Sequence, residues 1–579
     1  MSGDEKPVSQ GAKAVAIALA LLAPARMAWI VFTYGENNLS NDYLNRLPLV
    51  LSMLDGTCSL GRFVREAWIG GAHSGLAIYP IYYLNARFFH WSVWVELALG
   101  LALVAATLVL LTLAIPDRVR WLLLPPLALL LFSTSRVTVF TFGECALQYG
   151  FAQLGVATGV YALVKWRERP LALAAALAIG GILASWSWGG GVMAWPVFAT
   201  ALLASRVRSL RAWAIFVGGA TVGIAQYVWI IFFQAPGAGA MKMSSNLKIR
   251  GIPDLLGRPF IGGIGHYYGP SLQSQAIGLA GLAVLIVLLV RGRGGARRVS
   301  ALVLVGWSVL VAIQVAMLRS EIAPWYANPM AFFWAGLAIL FTLTPVPVRE
   351  TGIAGVAFLS LIPQRTWEDK SFYLPSRSPA SAACLREWRT APPECGALLI
   401  QWIGGGDPAW LGEPLERKHL SVFGPRRTYL LQGDVAVRRV AMEDSIERAF
   451  LSRDDRAPAD PNGFRRLDLV LAAGAAVTWR IDLPPNLRSA RFLTRVRAAP
   501  GDEMLARGAR VDVVGGTTGA RVFVPAESRQ TLSLDLRPYA GGSVTLRLLS
   551  EEAKSTVPLL FEAPRVELEI TRETARGAS

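Results

Sequence analysis

The sequence predicts a polytopic α-helical membrane domain of about eleven spans, followed by a C-terminal β-sandwich. Three observations predict it. The 579-residue chain is 53% hydrophobic with a mean hydropathy of +0.42, and only 17% of it is charged, against about 25% in a soluble domain. Apolar runs of about 17–25 residues, enough to cross a bilayer as a helix, recur through the first two thirds. From about residue 464 the pattern changes to apolar–polar alternation broken by turn residues, as in antiparallel strands.

The apolar runs lie near 14–33, 92–115, 121–136, 147–164, 171–188, 190–205, 212–233, 275–290, 299–318, 330–344 and 346–363. Five short connectors between them are dense in base: PDRVR (116–120), KWRERP (165–170), RVRSLR (206–211), RGRGGARR (291–298) and VPVRE (346–350). By the positive-inside rule these face the cytoplasm, as does the N-terminus. The loops 34–91, 234–274 and 319–329 then lie outside, with everything after about 364. The first run also resembles a signal peptide with a small-residue cleavage site. Its continuation to Tyr34 favours an uncleaved helix, in which Arg26 snorkels to the outer surface or faces a polar cavity.

Within the loop 34–91, LPLVLSML and LAIYPIYYLNARFFHW are too short to span and too apolar for a plain connector, so they predict helices lying in the interface. Residues 1–363 thus form the membrane domain, and 364–463 an outer linker with one short helix. Residues 464–579 form the sandwich, with strands in RRLDLVL, AAVTWRIDL, ARFLTRVRA, ARVDVVG, RVFVP, QTLSLDL, SVTLRLLS, VPLLFEA and RVELEI.

Composition also excludes. The net charge of +17 is dispersed among the connectors, not gathered on one basic face, which argues against nucleic acid as a partner. There is no P-loop and no GxSxG, and no inner connector exceeds about eight residues, so a cytoplasmic nucleotide site has nowhere to form. The four cysteines include no CxxC, and there are four histidines, so no metal-ligand pattern is legible. Cys384 and Cys395 lie eleven residues apart in a segment expected outside. They form either a disulfide or two free thiols.

Chemistry is therefore expected on the outer face. In YGENNLSNDYLNRLPLV (34–50), Asp42 is the leading catalytic candidate, with Glu36 second. A carboxylate beside an acceptor hydroxyl takes its proton as it attacks, and burial near lipid makes it a better base. Asp42 also suits the cap of the helix that follows. Three further outer segments carry candidates. Arg319 and Tyr326, in LRSEIAPWYANP, and Lys248, Arg250 and His266, in 242–268, are suited to a phosphate. Glu144, Gln148 and Gln153, in FTFGECALQYGFAQ, are suited to an acceptor or a polar cavity.

NDYLNRLPLVLSMLD in a large first outer loop resembles the signature region of the GT-C superfamily of polytopic glycosyltransferases. LQYGFAQ, SWSWGGGVMAWP and WYANPMAFFWAGLA are similar to patterns in bacterial membrane proteins of that kind. LDLRPYAGGSVTLRLLSEE with FEAPRVEL resembles a carbohydrate-binding β-sandwich. The resemblance implies transfer of a sugar from a polyprenyl-phosphate-linked donor to a glycan or lipid-linked glycan acceptor, with Asp42 as general base and inversion at the anomeric carbon. The phosphate leaving group would be neutralised by Arg or Lys, or by a divalent metal. The superfamily often follows its acidic residue with a second acid or a base, where this chain has Tyr43. High Arg and Ala usage and the span pattern imply the plasma (inner) membrane of a bacterium. The alternatives are a non-catalytic component of polysaccharide export or assembly, and a transporter.

Overall fold

The computed structural model describes residues 8–34, 37, 39, 43–69, 75–233, 251–261, 271–291, 295–318, 324–366, 385, 388–389, 409–424, 426–430, 445–451, 468–483, 485–498, 507–516, 518–524, 529–551 and 559–570. The chain forms two compact units. One comprises Met1–Gly35, Pro48–Arg87 and Val93–Phe372; the other comprises Glu36–Leu47, Phe88–Ser92 and Tyr373–Ser579.

The first unit is helical. Its elements, some shared with the second unit, are α1 Gln10–Tyr34, α2 Tyr43–Leu54, α3 Leu60–Ile69, α4 Tyr79–Phe89, α5 Val93–Leu113, α6 Asp117–Leu131, α7 Val137–Phe140, α8 Gly143–Lys165, α9 Pro170–Ser185, α10 Ala194–Ala204, α11 Leu210–Phe233, α12 Gly251–Gly257, α13 Leu272–Arg291, α14 Ala296–Leu318, α15 Ala327–Phe341 and α16 Val346–Thr366. Every apolar run read from the sequence is helical. Six helical stretches are long and apolar enough to cross a membrane: Gln10–Phe32, Val93–Leu113, Val119–Phe140, Leu272–Val290, Ala296–Met317 and Val346–Gln364. Four apolar helices are shorter: Pro170–Ser185, Gly189–Ala204, Leu210–Ala225 and Ala327–Phe341. The protein is therefore membrane-embedded and multi-pass. The first loop holds the two expected short helices, α2 and α4. It also holds α3, whose charged face (Arg62 bonds Glu66 at 2.7 Å) interrupts the apolar signal.

The bundle is built around α8, buried along most of its length between α5, α9 and α14. Small residues let it pack closely. A Cβ on Gly155 would run into the Gly180 carbonyl of α9, and one on Gly180 into the Gly155 carbonyl. The apolar side chains Ile17, Leu21, Trp29, Ile179, Ile286 and Phe358 point out of the unit, as a lipid-facing surface requires.

The second unit carries α17 (Ala409–Arg417) and nine antiparallel strands: β1 Arg426–Leu430, β2 Ser445–Leu451, β3 Asp468–Asp482, β4 Leu487–Ala498, β5 Arg507–Val513, β6 Gly519–Val524, β7 Arg529–Asp535, β8 Ser543–Ser550 and β9 Leu559–Ile570. The sheet order is β6-β5-β8-β3-β9-β4-β7, with β1 on β9 and β2 on β3. The path folds over so that β6 packs beside β7, enclosing one core with Trp479, Phe492, Val511, Leu532, Leu546 and Phe561.

Two pairs of expected strands are each one long strand. β3 continues through Ala472–Ala475, where it changes partner from β9 to β8. β9 runs through Pro564, and there its register with β4 shifts, Leu493 facing Arg565 and Arg495 facing Glu562. Proline has no N–H to give the ladder, so the strand bulges instead of ending. The sheet also takes in β1 and β2, upstream of the expected boundary at 464.

Candidate functional site

Two regions bear on function. The first lies at one end of the helical unit. The turn Thr134–Arg136 follows α6. Ser135 Oγ donates to the Pro259 carbonyl at 2.9 Å, and Thr134 Oγ1 to that of Pro363, on α16, at 2.5 Å. Gln153 Nε2 donates to the Asn328 carbonyl, at the start of α15, at 2.9 Å. Gly100 lies against Ala146, so the N-terminal turns of α5 and α8 are side by side.

Each of those turns carries a fully buried carboxylate, Glu96 on α5 and Glu144 on α8. A helix N-terminus is the favourable place for one, because unpaired N–H groups and the helix dipole both face it. Asn85 Nδ2 donates to Glu96 Oε1 at 2.9 Å, and Gln148 Nε2 to Glu144 Oε1 at 2.9 Å.

Arg136 is buried in the same region. Its Nη1 donates to the Leu131 carbonyl and its Nη2 to Gln153 Oε1 at 3.1 Å, while the guanidinium lies 5.4 Å from the centre of the Phe140 ring. These acceptors are neutral, and Nε is buried without a hydrogen bond. A guanidinium so placed is costly and needs a reason. Through Gln153 it ties the end of α6 to α8 and α15.

Of the residues singled out in the sequence, the structure thus brings Gln153 into a hydrogen-bonded chain with Arg136 and Asn328, and joins Glu144 to Gln148. Tyr326 is buried and lies against Trp325, with ring centres 6.1 Å apart. Glu36, Asp42, Lys248, Arg250, His266, Arg319, Cys384 and Cys395 lie outside the described residues. Sequence reasoning missed Arg136 and Glu96. Each stands at the edge of an expected span (121–136 and 92–115) and was absorbed into the boundary. The signal was there: a charge adjoining lipid-length apolar sequence. Among the described residues no three His, Cys, Asp or Glu side chains gather as metal ligands.

The second region lies in the sheet-bearing unit, where the first loop joins residues 419–424. Leu39, Tyr43 and Leu47 are buried, on either side of Asp42 in sequence, and α2 begins at Tyr43. Tyr43 meets the fully buried Trp91 edge-on, with ring centres 6.2 Å apart. α17 ends in a Schellman cap: Leu420 N–H donates to the Leu415 carbonyl at 2.9 Å, and His419 N–H to that of Glu416 at 3.0 Å. The left-handed residue of that cap is His419, at φ 54°. α4 ends similarly, with His90 at φ 57° and Trp91 at φ 49°, and Ser421 adds φ 54°. Glycine is the usual occupant of such positions, and each non-glycine costs roughly 1–3 kcal/mol.

These residues bond one another. Ser421 N–H donates to the His90 carbonyl at 2.7 Å. His90 Nδ1–H donates to the His419 carbonyl at 3.2 Å. Asn37 Nδ2 donates to the Ser421 carbonyl, and Ser421 Oγ to the Asn37 carbonyl, each at 3.4 Å.

No protein-family model matches the chain, and no curated protein matches it.

Proposed function

We propose that the chain is a GT-C-type membrane glycosyltransferase with about eleven spans and an extracytoplasmic C-terminal unit. It transfers a sugar from a polyprenyl-phosphate-linked donor to a cell-surface or lipid-linked glycan. The observation that carries the reading is the position of the buried polar groups of the helical unit. Glu96, Glu144, Gln148, Arg136 and Gln153 lie at helix ends on one side of the bundle, away from the basic connectors 116–120 and 165–170. A transporter would place such groups near mid-membrane. An enzyme acting on a lipid headgroup needs them at the rim.

In this mechanism the acceptor hydroxyl attacks the anomeric carbon while Asp42 takes its proton, with Glu36 the second candidate. The bond from that carbon to the phosphate oxygen breaks, and the lipid phosphate leaves with the electron pair. Arg319, Lys248, Arg250, His266 and Tyr326 are the candidates to hold it, with room for a divalent metal. Glu144, Gln148 and Gln153 would line the acceptor side.

The test is deletion of the gene in its host, with mass spectrometry of surface glycans and complementation by wild type and by Asp42→Asn at matched abundance. Loss of one sugar that Asp42→Asn fails to restore is the expected result, and the mass difference identifies the class of sugar. Full restoration by Asp42→Asn removes Asp42 as the base. If full restoration extends to Glu36→Gln and to the double variant, the assembly reading takes its place.

A further inference from the structure

Among the described residues five non-glycine positions have positive φ: His90, Trp91, Arg206, His419 and Ser421. Four of the five meet where the first loop joins residues 419–424. Helix capping accounts for the backbone shape at His419 and His90, but not for the residue type. Glycine would cap both helices with less strain. What glycine lacks is the side chain, and here the side chains connect. The His90 imidazole bonds the carbonyl of the opposite cap, and the Ser421 hydroxyl bonds Asn37. Ser421 is 1% exposed, and a Cβ on Gly424 would stand 3.4 Å from that of His90, so the knot is closely packed.

Asn37 adjoins Glu36 in sequence, and Leu39 and Tyr43 bracket Asp42. We propose that His90, Ser421 and Asn37 are positioning residues, which hold the acidic first-loop segment in one conformation against residues 419–424. The C-terminal unit would then be part of the catalytic apparatus, not an appended module. The inference rests on the reading that the reaction passes through Glu36 or Asp42. Strain kept by the surrounding packing is a recurring feature of segments that must present a reacting group.

The test separates the knot from its service to catalysis. His90→Gly and Ser421→Gly keep every backbone hydrogen bond and relieve the left-handed strain, so both variants fold. In the full-length protein in detergent, hydrogen–deuterium exchange of peptides covering 37–47 should rise about tenfold in the double variant. Peptides from α5 and β8 should stay as in wild type. In the complemented deletion strain the same variant should restore glycan about tenfold less well at matched abundance. His90→Asn, which tolerates positive φ and keeps a side-chain donor, should recover both measures.

Unchanged exchange at 37–47 overturns the inference outright. Faster exchange with full glycan, where Asp42→Asn still loses it, also overturns the positioning role and leaves the enzyme reading standing. Full glycan from both the double variant and Asp42→Asn removes this segment from the reaction, and the positioning role with it.

Discussion

The two units put their polar groups in opposite places. The helical unit turns Ile17, Leu21 and Phe358 outward and buries Glu96, Glu144, Arg136, Asp254 and Arg258. The sheet encloses an apolar core and turns Arg480, Arg510, Arg521 and Arg547 outward. Each surface follows its solvent: a helix in lipid satisfies its backbone internally and loses nothing by exposing leucine, whereas a strand face in water must be polar. The comparison teaches where to look for function. Charge on the sheet's surface is ordinary, and charge inside the helical unit is costly enough to need a purpose.

The largest effect is expected at Asp254. Its Oδ1 accepts from Ser271 N–H at 2.9 Å and from Ser274 Oγ, at the start of α13, and its Oδ2 pairs with Arg258 Nε at 2.9 Å. Asp254→Ala takes the carboxylate from a buried guanidinium and should cost about 3–5 kcal/mol. The measurement is denaturant unfolding in detergent, followed by tryptophan fluorescence. The double variant Asp254→Leu with Arg258→Met should regain most of the loss, because apolar pairs often replace buried ion pairs without penalty. A double variant as unstable as the single one would show that polarity itself is needed there.

Arg136 should come next. Arg136→Met strands the Leu131 carbonyl and Gln153 Oε1, at about 1–3 kcal/mol for each buried group left unpaired. Arg136→Lys should recover only part, since one ammonium cannot reproduce the planar fork. Unfolding and glycan restoration measured on the same variants separate two roles. A variant as stable as wild type that restores no glycan would assign the guanidinium to chemistry, not to the brace.

The same contrast explains what could be read without a structure. Helices in lipid need about twenty apolar residues, so all eleven runs were legible, as were most strands from their alternation. The positions of the interruptions were not. Pro564 reads as a strand breaker and is instead a bulge inside β9. β1 and β2 lie in sequence too short and too charged to show a period, and are paired only through β9 and β3. In the site, the row Glu144, Gln148, Gln153 was visible because polar residues recur there at near-helical spacing. Its partner Arg136 was not, since only the fold brings residue 136 to residue 153. The knot of His90, Trp91, His419 and Ser421 was invisible for a stronger reason. None of these residue types announces positive φ, and the chain adopts it because tertiary contacts between distant segments impose it.

A smaller effect is expected inside the sheet. Trp479 is 1% exposed, lies 6.3 Å from Phe492 between ring centres, and buries its indole N–H without a hydrogen bond. Trp479→Phe removes volume but also removes that unpaired donor. The two changes oppose each other and leave a net loss of about 1 kcal/mol. The measurement is hydrogen–deuterium exchange of β3 and β8. A loss as large as that at Asp254 would mean the indole makes a contact whose worth the geometry understates.

The smallest effect is expected at Arg510, and it tests the comparison most directly. Arg510 Nε meets Asp512 Oδ1 at 2.6 Å, slightly closer than the Arg258–Asp254 pair, but its side chain is 51% exposed. Water screens the attraction and solvates either partner once the other is gone, so exposed pairs contribute little. Arg510→Ala should leave denaturant unfolding and β5 exchange unchanged, and raising the salt concentration should not separate the variant from wild type. The two pairs share chemistry and nearly share geometry, and differ in burial alone. A loss at Arg510 comparable to that at Asp254 would show that distance, not desolvation, decides the outcome, and the buried charges of the helical unit would then need no functional explanation.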